Sequence, residues 1–392
     1  LLCLAFSNLM IYDLHIHRHT YLWYIMSEEN PEMREMAARI CRDYLHGVWK
    51  RVTADTISLK RISGGLSNWL YNVQLPEGAV PIRGEPRQVL LRLYGQVHGE
   101  RAIEGLITES VIFTLLSERK LGPKLHGIFP GGRIEEYIPA RPLLTKELAD
   151  PTLSCMIAEK MGQIHTMQVP ISKEPTWLWD TMAKWLDTAS DILEKPNEIN
   201  ERHLENINIV KTTDLEREIK WFRSLATQQK HLVVFCHNDM QEGNILLQQN
   251  TQRPELVLID FEYCSYNYRG FDLANHFVEW QYDYTAPEYP FFYERIHAVP
   301  TDEQKLNFVR SYLKTLGKEG PAEEDRVMGE IKIFSLGSHL FWSLWSIVNA
   351  KLSEIPFGYW VWGFYEFSCL ISLSTKNMVK IGMHSRITRY QD

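Results

Sequence analysis

Hydrophobic spacing divides the chain into two regimes. Asn30-Pro31 pairs an N-cap with a first-turn proline and opens a helix whose apolar face is Met36, Ala37, Ile40 and Leu45. Three short apolar runs follow, at 57–62, 69–75 and 88–94, and read as strands. Turn chemistry separates them: Ser63-Gly64-Gly65 first, then Pro76-Glu77-Gly78 through Glu85-Pro86. A helical stretch at about 102–119 carries Ile103, Leu106, Ile107, Val111, Leu115 and Leu116 on or near one face, and Gly122-Pro123 ends it. Leu125–Phe129 and Arg133–Tyr137 are two more strands around Pro130-Gly131-Gly132. The pattern predicts a five-stranded sheet with one helix against it.

After Ile138-Pro139 the period lengthens. Helical patterns occupy about 146–168, 178–194, 214–229, 270–282, 303–315, 322–350 and 359–373, and Pro196–Asn208 is a polar loop. Two apolar runs, 245–247 and 256–259, interrupt the helices and predict a short β-hairpin. The reading is an α+β chain with three parts: an extension over 1–30, a small β-rich lobe over 31–137, and a larger, mainly helical lobe over 138–392. A connector near 136–142 joins the lobes, and a nucleotide is expected in the cleft between them.

Composition narrows the class. With 392 residues, 45% hydrophobic and 12% aromatic, the chain has ample material for a core. A net charge of −7 argues against nucleic acid as a main partner. The six cysteines are scattered, without a CxxC pair, so neither a disulfide framework nor a zinc site is indicated, and a reducing, cytoplasmic compartment is expected. Leu1–Ile25 is aromatic and apolar but is interrupted by Asp13, His15, His17, Arg18 and His19. It is too broken for a membrane span and lacks the features of a signal peptide. Met26-Ser27-Glu28-Glu29 resembles an ordinary start, so residues 1–25 are expected to have no part in the fold.

The densest chemistry lies at His237-Asn238-Asp239-Met240-Gln241-Glu242-Gly243-Asn244, followed by Asp260-Phe261-Glu262 at the end of an apolar strand. One Asp beside an attacking hydroxyl, with an amide oxygen and a second carboxylate to hold a divalent cation on phosphates, suits phosphoryl transfer. Singly, each of these residues is also an ordinary turn-former or cap. Ser63-Gly64-Gly65-Leu66-Ser67-Asn68 can approach phosphates through its backbone, or is simply a hairpin turn. Arg92 breaks an apolar strand, where an unpaired charge is costly. Glu109 on the next helix is its expected partner, with phosphates as the second anion; the alternative is an edge-strand Arg reaching solvent. Glu136-Tyr137-Ile138 ends a strand at the connector, as an adenine-contacting backbone or a plain linker.

The helical lobe adds aromatics and acids: Tyr263, Glu279, Trp280, Tyr282, Asp283, Tyr284, Trp342, Trp345, Phe357, Tyr359 and Trp362. Trp342 and Trp345 share a helix face. Aromatic faces near carboxylates form a box for a quaternary ammonium, although any one of these rings is equally at home in a core. His237 and His276 are expected to orient the loop and satisfy buried carbonyls, and Arg269 and Asp272 to brace it by an ion pair with each other.

At these residues the chain resembles the choline/ethanolamine kinase family. The resemblance runs from about residue 33 to the C-terminal region and is close in Ile62–Asn68, Val89–Gly95, Val233–Leu247, Leu258–Glu279 and His339–Ile347. It implies a two-lobed, protein-kinase-like fold, often dimeric. It also implies ATP-dependent phosphorylation of choline, the first step towards phosphatidylcholine, with Mg²⁺ bound. Carried over by residue, Asp239 is the catalytic base and Asn244 and Asp260 the metal ligands. Gln241 and Glu262 are supporting polar groups, and Arg92 is the phosphate clamp. Tyr263, Glu279, Tyr284, Trp342, Trp345, Phe357 and Tyr359 are the choline pocket. The family often has Tyr where Trp362 stands, which leaves that wall of the pocket open. Gln241-Glu242-Gly243 and Leu344-Trp345-Ser346 resemble the choline-preferring members. Ethanolamine or dual use is the nearest rival, and a ligand-binding pseudokinase the rival of another class.

Overall fold

The computed structural model describes residues 30–62, 68–82, 84–94, 100–195, 210, 212–249, 252–353 and 355–381. Residues 1–29, Ser63, Gly64, Gly65 and Ser67, and the whole of the expected 196–208 loop lie outside them. The chain divides into two units between Pro139 and Ala140.

In the first unit, Asn30 caps helix α1 (Pro31–Tyr44) by accepting from the Glu32 N–H at 2.9 Å, as its sequence predicts. The buried face is Met33, Ala37, Ala38, Ile40 and Cys41, with Met36 at its margin. Strands β1 (Ser58–Ile62), β2 (Asn68–Gln74), β3 (Gln88–Tyr94), β4 (Leu125–Phe129) and β5 (Gly132–Glu136) form one antiparallel sheet in the order β1-β2-β3-β5-β4. Alternation sends Val89, Leu91 and Leu93 of β3 to one face, where they join Tyr71, Val73, Ile134, Trp49 and α1 in a single core. Arg92 falls on the other face. There Arg133, directly opposite it on β5, stacks on Phe113 of helix α2 (Glu100–Glu118) with its guanidinium carbon 4.2 Å from the ring centre. The sheet therefore carries a helix on each face, not one in all. The amphipathic first helix covers the side that the strand pattern leaves apolar.

The second unit contains the predicted hairpin as β8 (Ile245–Gln248) and β9 (Leu256–Leu258), extended by β6 (Ala140–Pro142), which pairs with β8. A separate antiparallel pair joins β7 (Val233–Cys236) to β10 (Ser265–Tyr268). The helix expected over 146–168 is split. A 3₁₀ turn at Thr145–Ala149 precedes α3 (Pro151–His165), because Pro151 cannot continue a helix but is well placed to start one under the Asp150 cap. The remaining helices α4 (Thr176–Glu194), α5 (Leu215–Thr227), α6 (Arg269–Glu279), α7 (Asp302–Thr315) and α8 (Pro321–Leu352) fall within a few residues of expectation, while α9 (Tyr359–Ile381) starts as expected and runs well past residue 373. Two-residue strands β11 (Tyr282–Asp283) and β12 (Tyr293–Glu294) pair after α6.

Helix α8 is the axis of this unit and packs against α4, α5, α6, α7 and α9. Among the described residues it is the helix long and apolar enough to cross a membrane, but 78% of its apolar window is buried inside the fold. Its apolarity serves packing. Approach to its neighbours is close: a Cβ on Gly337 would fall 2.2 Å from the Phe222 ring of α5, and one on Gly270 would fall 2.5 Å from Phe334.

Candidate active site

The catalytic-loop candidates follow β7, and one buried carboxylate sets their backbone. Asp272 of α6 accepts from the His237 N–H (2.9 Å) and the Asn238 N–H (2.8 Å), and its Oδ2 lies 2.9 Å from His165 Nε2. Although burial opposes it, the hydrogen bonds from His165 and from the His237 backbone N–H hold this carboxyl below the usual range. The turn needs a left-handed residue at Asn238, with φ 68°. The Asn238 side chain anchors the loop by donating to the Tyr263 carbonyl (2.9 Å) and Ser265 Oγ (3.0 Å) and accepting from Asn267 (2.8 Å). His237 Nε2 donates to the Ile259 carbonyl at 3.0 Å, so its Nδ1 is the acceptor for the Asp239 N–H at 3.3 Å. His276 Nδ1 donates to the Met240 carbonyl at 2.8 Å. Both imidazoles brace the loop, as expected.

Asp239 therefore arrives in a fixed position. Asn244 donates through Nδ2 to its carboxylate (2.8 Å) and to its carbonyl (2.9 Å). Burial, with Asp260 nearby, pushes the Asp239 carboxyl up to about 7, and the Asn244 amide moderates the rise. Gln241 caps the following 3₁₀ turn (Glu242–Asn244) by accepting from the Gly243 N–H at 2.9 Å. Asp260 is brought alongside because the Ile259 N–H donates to the Asn244 carbonyl at 3.0 Å, and it holds φ 63°. Two half-buried carboxylates crowded together, with an amide whose nitrogen is already used on Asp239, form a hard oxygen set suited to a divalent cation. Asn244 and Asp260 would hold it, and it would neutralise phosphate charge. Glu262 is exposed.

Two ion-pair expectations are corrected. Arg92 pairs with Glu135 (2.6 Å), not Glu109, while Arg133 bonds both Glu135 (2.7 Å) and Glu109 (2.7 Å). The cause is register: Arg92 lies opposite Arg133, so Glu135, two residues along β5, shares their face. Arg269 does not pair with Asp272. It is fully buried and takes Glu330 of α8 through Nε and Nη2, both at 2.8 Å, with Glu323 at 3.1 Å. Asn68 lies in β2, and the Glu136 N–H is already used on the Lys124 carbonyl (2.7 Å). Tyr137 and Ile138 are half-buried just beyond β5.

The aromatic candidates converge within the second unit. Trp342 and Trp345 stand edge to face, 5.5 Å between ring centres. Trp345 also meets Trp362 (5.8 Å) and Tyr359 (5.6 Å), and its indole N–H donates to the Tyr263 hydroxyl at 3.1 Å. Tyr263 meets Trp342 at 5.7 Å. Phe357 lies 5.0 Å from Tyr359 and 6.2 Å from Tyr284. The Tyr284 hydroxyl donates to Glu279 at 2.9 Å, and burial, then Asp239 and Glu242, raise the Glu279 carboxyl well above the ordinary range. Trp342, Tyr359 and Trp362 are buried, and Trp345 is only partly so. The Asn238–Tyr263 hydrogen bond ties this ring cluster to the loop of Asp239.

Sequence reasoning missed two contributors, His165 and Asn275, whereas Asp272 braces the loop as expected, through the His237 and Asn238 N–H groups. Asn275 receives the Trp342 indole N–H (2.5 Å) and the Ser338 hydroxyl (2.9 Å). The available signal was the density of polar residues in α6, all eleven of whose residues are buried.

Fold and site together define a phosphotransferase of the protein-kinase-like type. The family model for choline/ethanolamine kinase matches residues 59–370, and the chain belongs to that family. It is 46% identical over 341 residues to a human choline/ethanolamine kinase, covering 85% of this chain and 84% of that protein. It is 43% identical to mouse choline kinase alpha, covering 85% and 80%. A solved choline kinase from Cryptosporidium parvum superposes with a TM-score of 0.72 at 26% identity, covering 91% of this chain and 99% of that one.

Proposed function

We propose that this chain phosphorylates choline with ATP by direct in-line transfer, using Mg²⁺. The observation that carries the reading is the junction of two groups of residues. The loop that holds Asp239 against Asn244 is hydrogen-bonded to Tyr263, a member of the indole cluster. Choline presents a hydroxyl to be activated and, at its other end, a trimethylammonium that offers no N–H and prefers aromatic faces.

Asp239 orients the hydroxyl and accepts its proton late in the transfer; a carboxyl raised to about 7 is well matched to that task near neutral pH. Asn244 and Asp260 hold the cation that neutralises the phosphates. Trp342, Trp345, Tyr263, Tyr359 and Trp362 surround the ammonium, whose charge would favour ionisation of the buried Glu279 carboxyl beside them. Arg92 is retained as a cation for the phosphates on the strength of the resemblance, its charge shared with Glu135. Ethanolamine as a second substrate is favoured by Glu279 and Tyr284, which can accept N–H bonds. A homodimer is proposed from the family resemblance and a cytoplasmic location from the scattered cysteines, and light scattering on the purified chain tests the first. The central test is ADP release with choline, ethanolamine and an aminoglycoside in parallel. Turnover with choline is expected, and its absence with all three would refute the reading.

A further inference from the structure

The second unit holds another buried acid, one that neither the catalytic motif nor the family resemblance singles out. Glu366 of α9 is fully buried, and its Oε2 lies 2.7 Å from His339 Nδ1 of α8. Helices α8 and α9 meet antiparallel in layers: Trp345 against Tyr359, Trp342 against Trp362 at 6.5 Å, then His339 against Glu366. The His339–Glu366 layer thus sits one helical turn, roughly 5 Å, behind the indoles.

The Tyr282 hydroxyl faces the Glu366 carboxyl, and Trp362 Nε1 is buried beside them with no hydrogen-bond partner among the described residues. Trp362 and Glu366 lie i, i+4 on α9, and the Tyr282 ring is 5.5 Å from Trp362. An orphaned polar atom such as Trp362 Nε1 is rare in a core. The charge also reaches the pocket. Burial raises Glu279, Tyr282 and Tyr284, and Glu366 adds to each rise. The titratable groups around it are His339 on α8, Glu279 on α6, Tyr282 on β11, Tyr284 after it, Glu294 on β12 and Cys369 on α9, with Asp239 and Glu242 beyond Glu279.

We propose that Glu366 is a specificity-determining, positioning residue of the amine pocket: a buried negative charge behind the indole layer that favours a cationic head group over an uncharged one of the same shape. The inference rests on the amine-kinase reading above. A quaternary ammonium has no proton to donate, so Glu366 acts on it through charge, while the rings supply contact.

Glu366→Gln preserves the shape and the acceptor for His339 and removes the charge. Calorimetry on the full chain compares choline with its uncharged isostere, 3,3-dimethylbutan-1-ol. The variant is expected to weaken choline by about three- to tenfold, the scale of one partly screened charge nearby, while leaving the isostere within about twofold. Equal loss for both ligands would make Glu366 a structural brace, and no loss for either would leave it idle; each result overturns the proposal. Should Glu366→Gln fail to fold, His339→Gln keeps a donor to Glu366 but removes the ring that can take a positive charge. Choline affinity is then expected to be unchanged or tighter, and weaker choline binding overturns the proposal. Absence of turnover by the parent chain with every amine would sink the kinase reading instead. Turnover with an unchanged choline-to-isostere ratio in the variant would sink this inference alone.

Discussion

Asp239 is a carboxyl held where its own charge is unwelcome. Burial and Asp260 both disfavour ionisation, and a cation held by Asn244 and Asp260, or a proton taken from a substrate hydroxyl, would relieve that cost. Asp239→Asn keeps the hydrogen-bond geometry to Asn244 and removes the base. Turnover is expected to fall by about 10²–10⁴-fold with circular dichroism unchanged. A folded variant with near-parent ADP release would remove Asp239 from the mechanism. Trp345 makes the matching case for the amine. It is the least buried of the three clustered indoles, and its N–H is already satisfied by Tyr263, so its face is what it has to offer. A desolvated cation over an indole is worth about 2 kcal/mol. Trp345→Ala should therefore raise KM for choline at least about tenfold and leave KM for ATP within about twofold. Equal losses for both substrates in steady-state kinetics would mean the ring is core packing.

At the scale of elements, α6 does the organising. Its Asp272 fixes the loop before Asp239, its His276 fixes the loop after it, and its Arg269 locks the helix to α8. The Arg269–Glu330 pair is fully desolvated, so the two variants that test it differ sharply. Arg269→Met alone strands a buried carboxylate and should cost about 3–5 kcal/mol in urea unfolding. Adding Glu330→Leu removes the stranded charge and should recover most of that loss. A double variant no more stable than the single one would mean the loss comes from packing. The first unit shows the same logic in its sheet, where β3–β5 register, not proximity along the chain, selects Glu135 for Arg92.

For the molecule as a whole, buried histidines set how stability responds to acid. Burial pulls His276 down from 6.5 to about 4, with its bond to the Met240 carbonyl opposing only in part. The folded value lies below the unfolded one, so the contribution is intact above about pH 6.5. It is lost progressively as pH falls towards 4, by about 3 kcal/mol in all. His276→Asn removes this component. The stability advantage of the parent over the variant should therefore shrink by that order between pH 7.5 and pH 4.5 in chemical denaturation. A constant difference across that range would show that His276 does not titrate with unfolding.

Several features were legible along the chain because they are local. Asn30-Pro31 caps a helix by its own side chain, and periods of two and about 3.6 placed β3 and α8 to within a few residues. The spacing of Asp239, Asn244 and Asp260, with two apolar runs between them, defines a hairpin-mounted acid set before any contact is known. Other features required tertiary structure because they depend on which elements become neighbours. The partner of Arg92 follows from strand register. The partner of Arg269 comes from a helix more than fifty residues away, and the indole cluster exists only because α8 and α9 meet antiparallel. Glu366 is the clearest case. In sequence it is one acid in an apolar run, and only its burial beside Tyr282, Trp362 and His339 makes it a charge with work to do. Covalent spacing carries local chemistry, whereas pairing between distant charges and rings is settled by packing, where burial decides which of them matter.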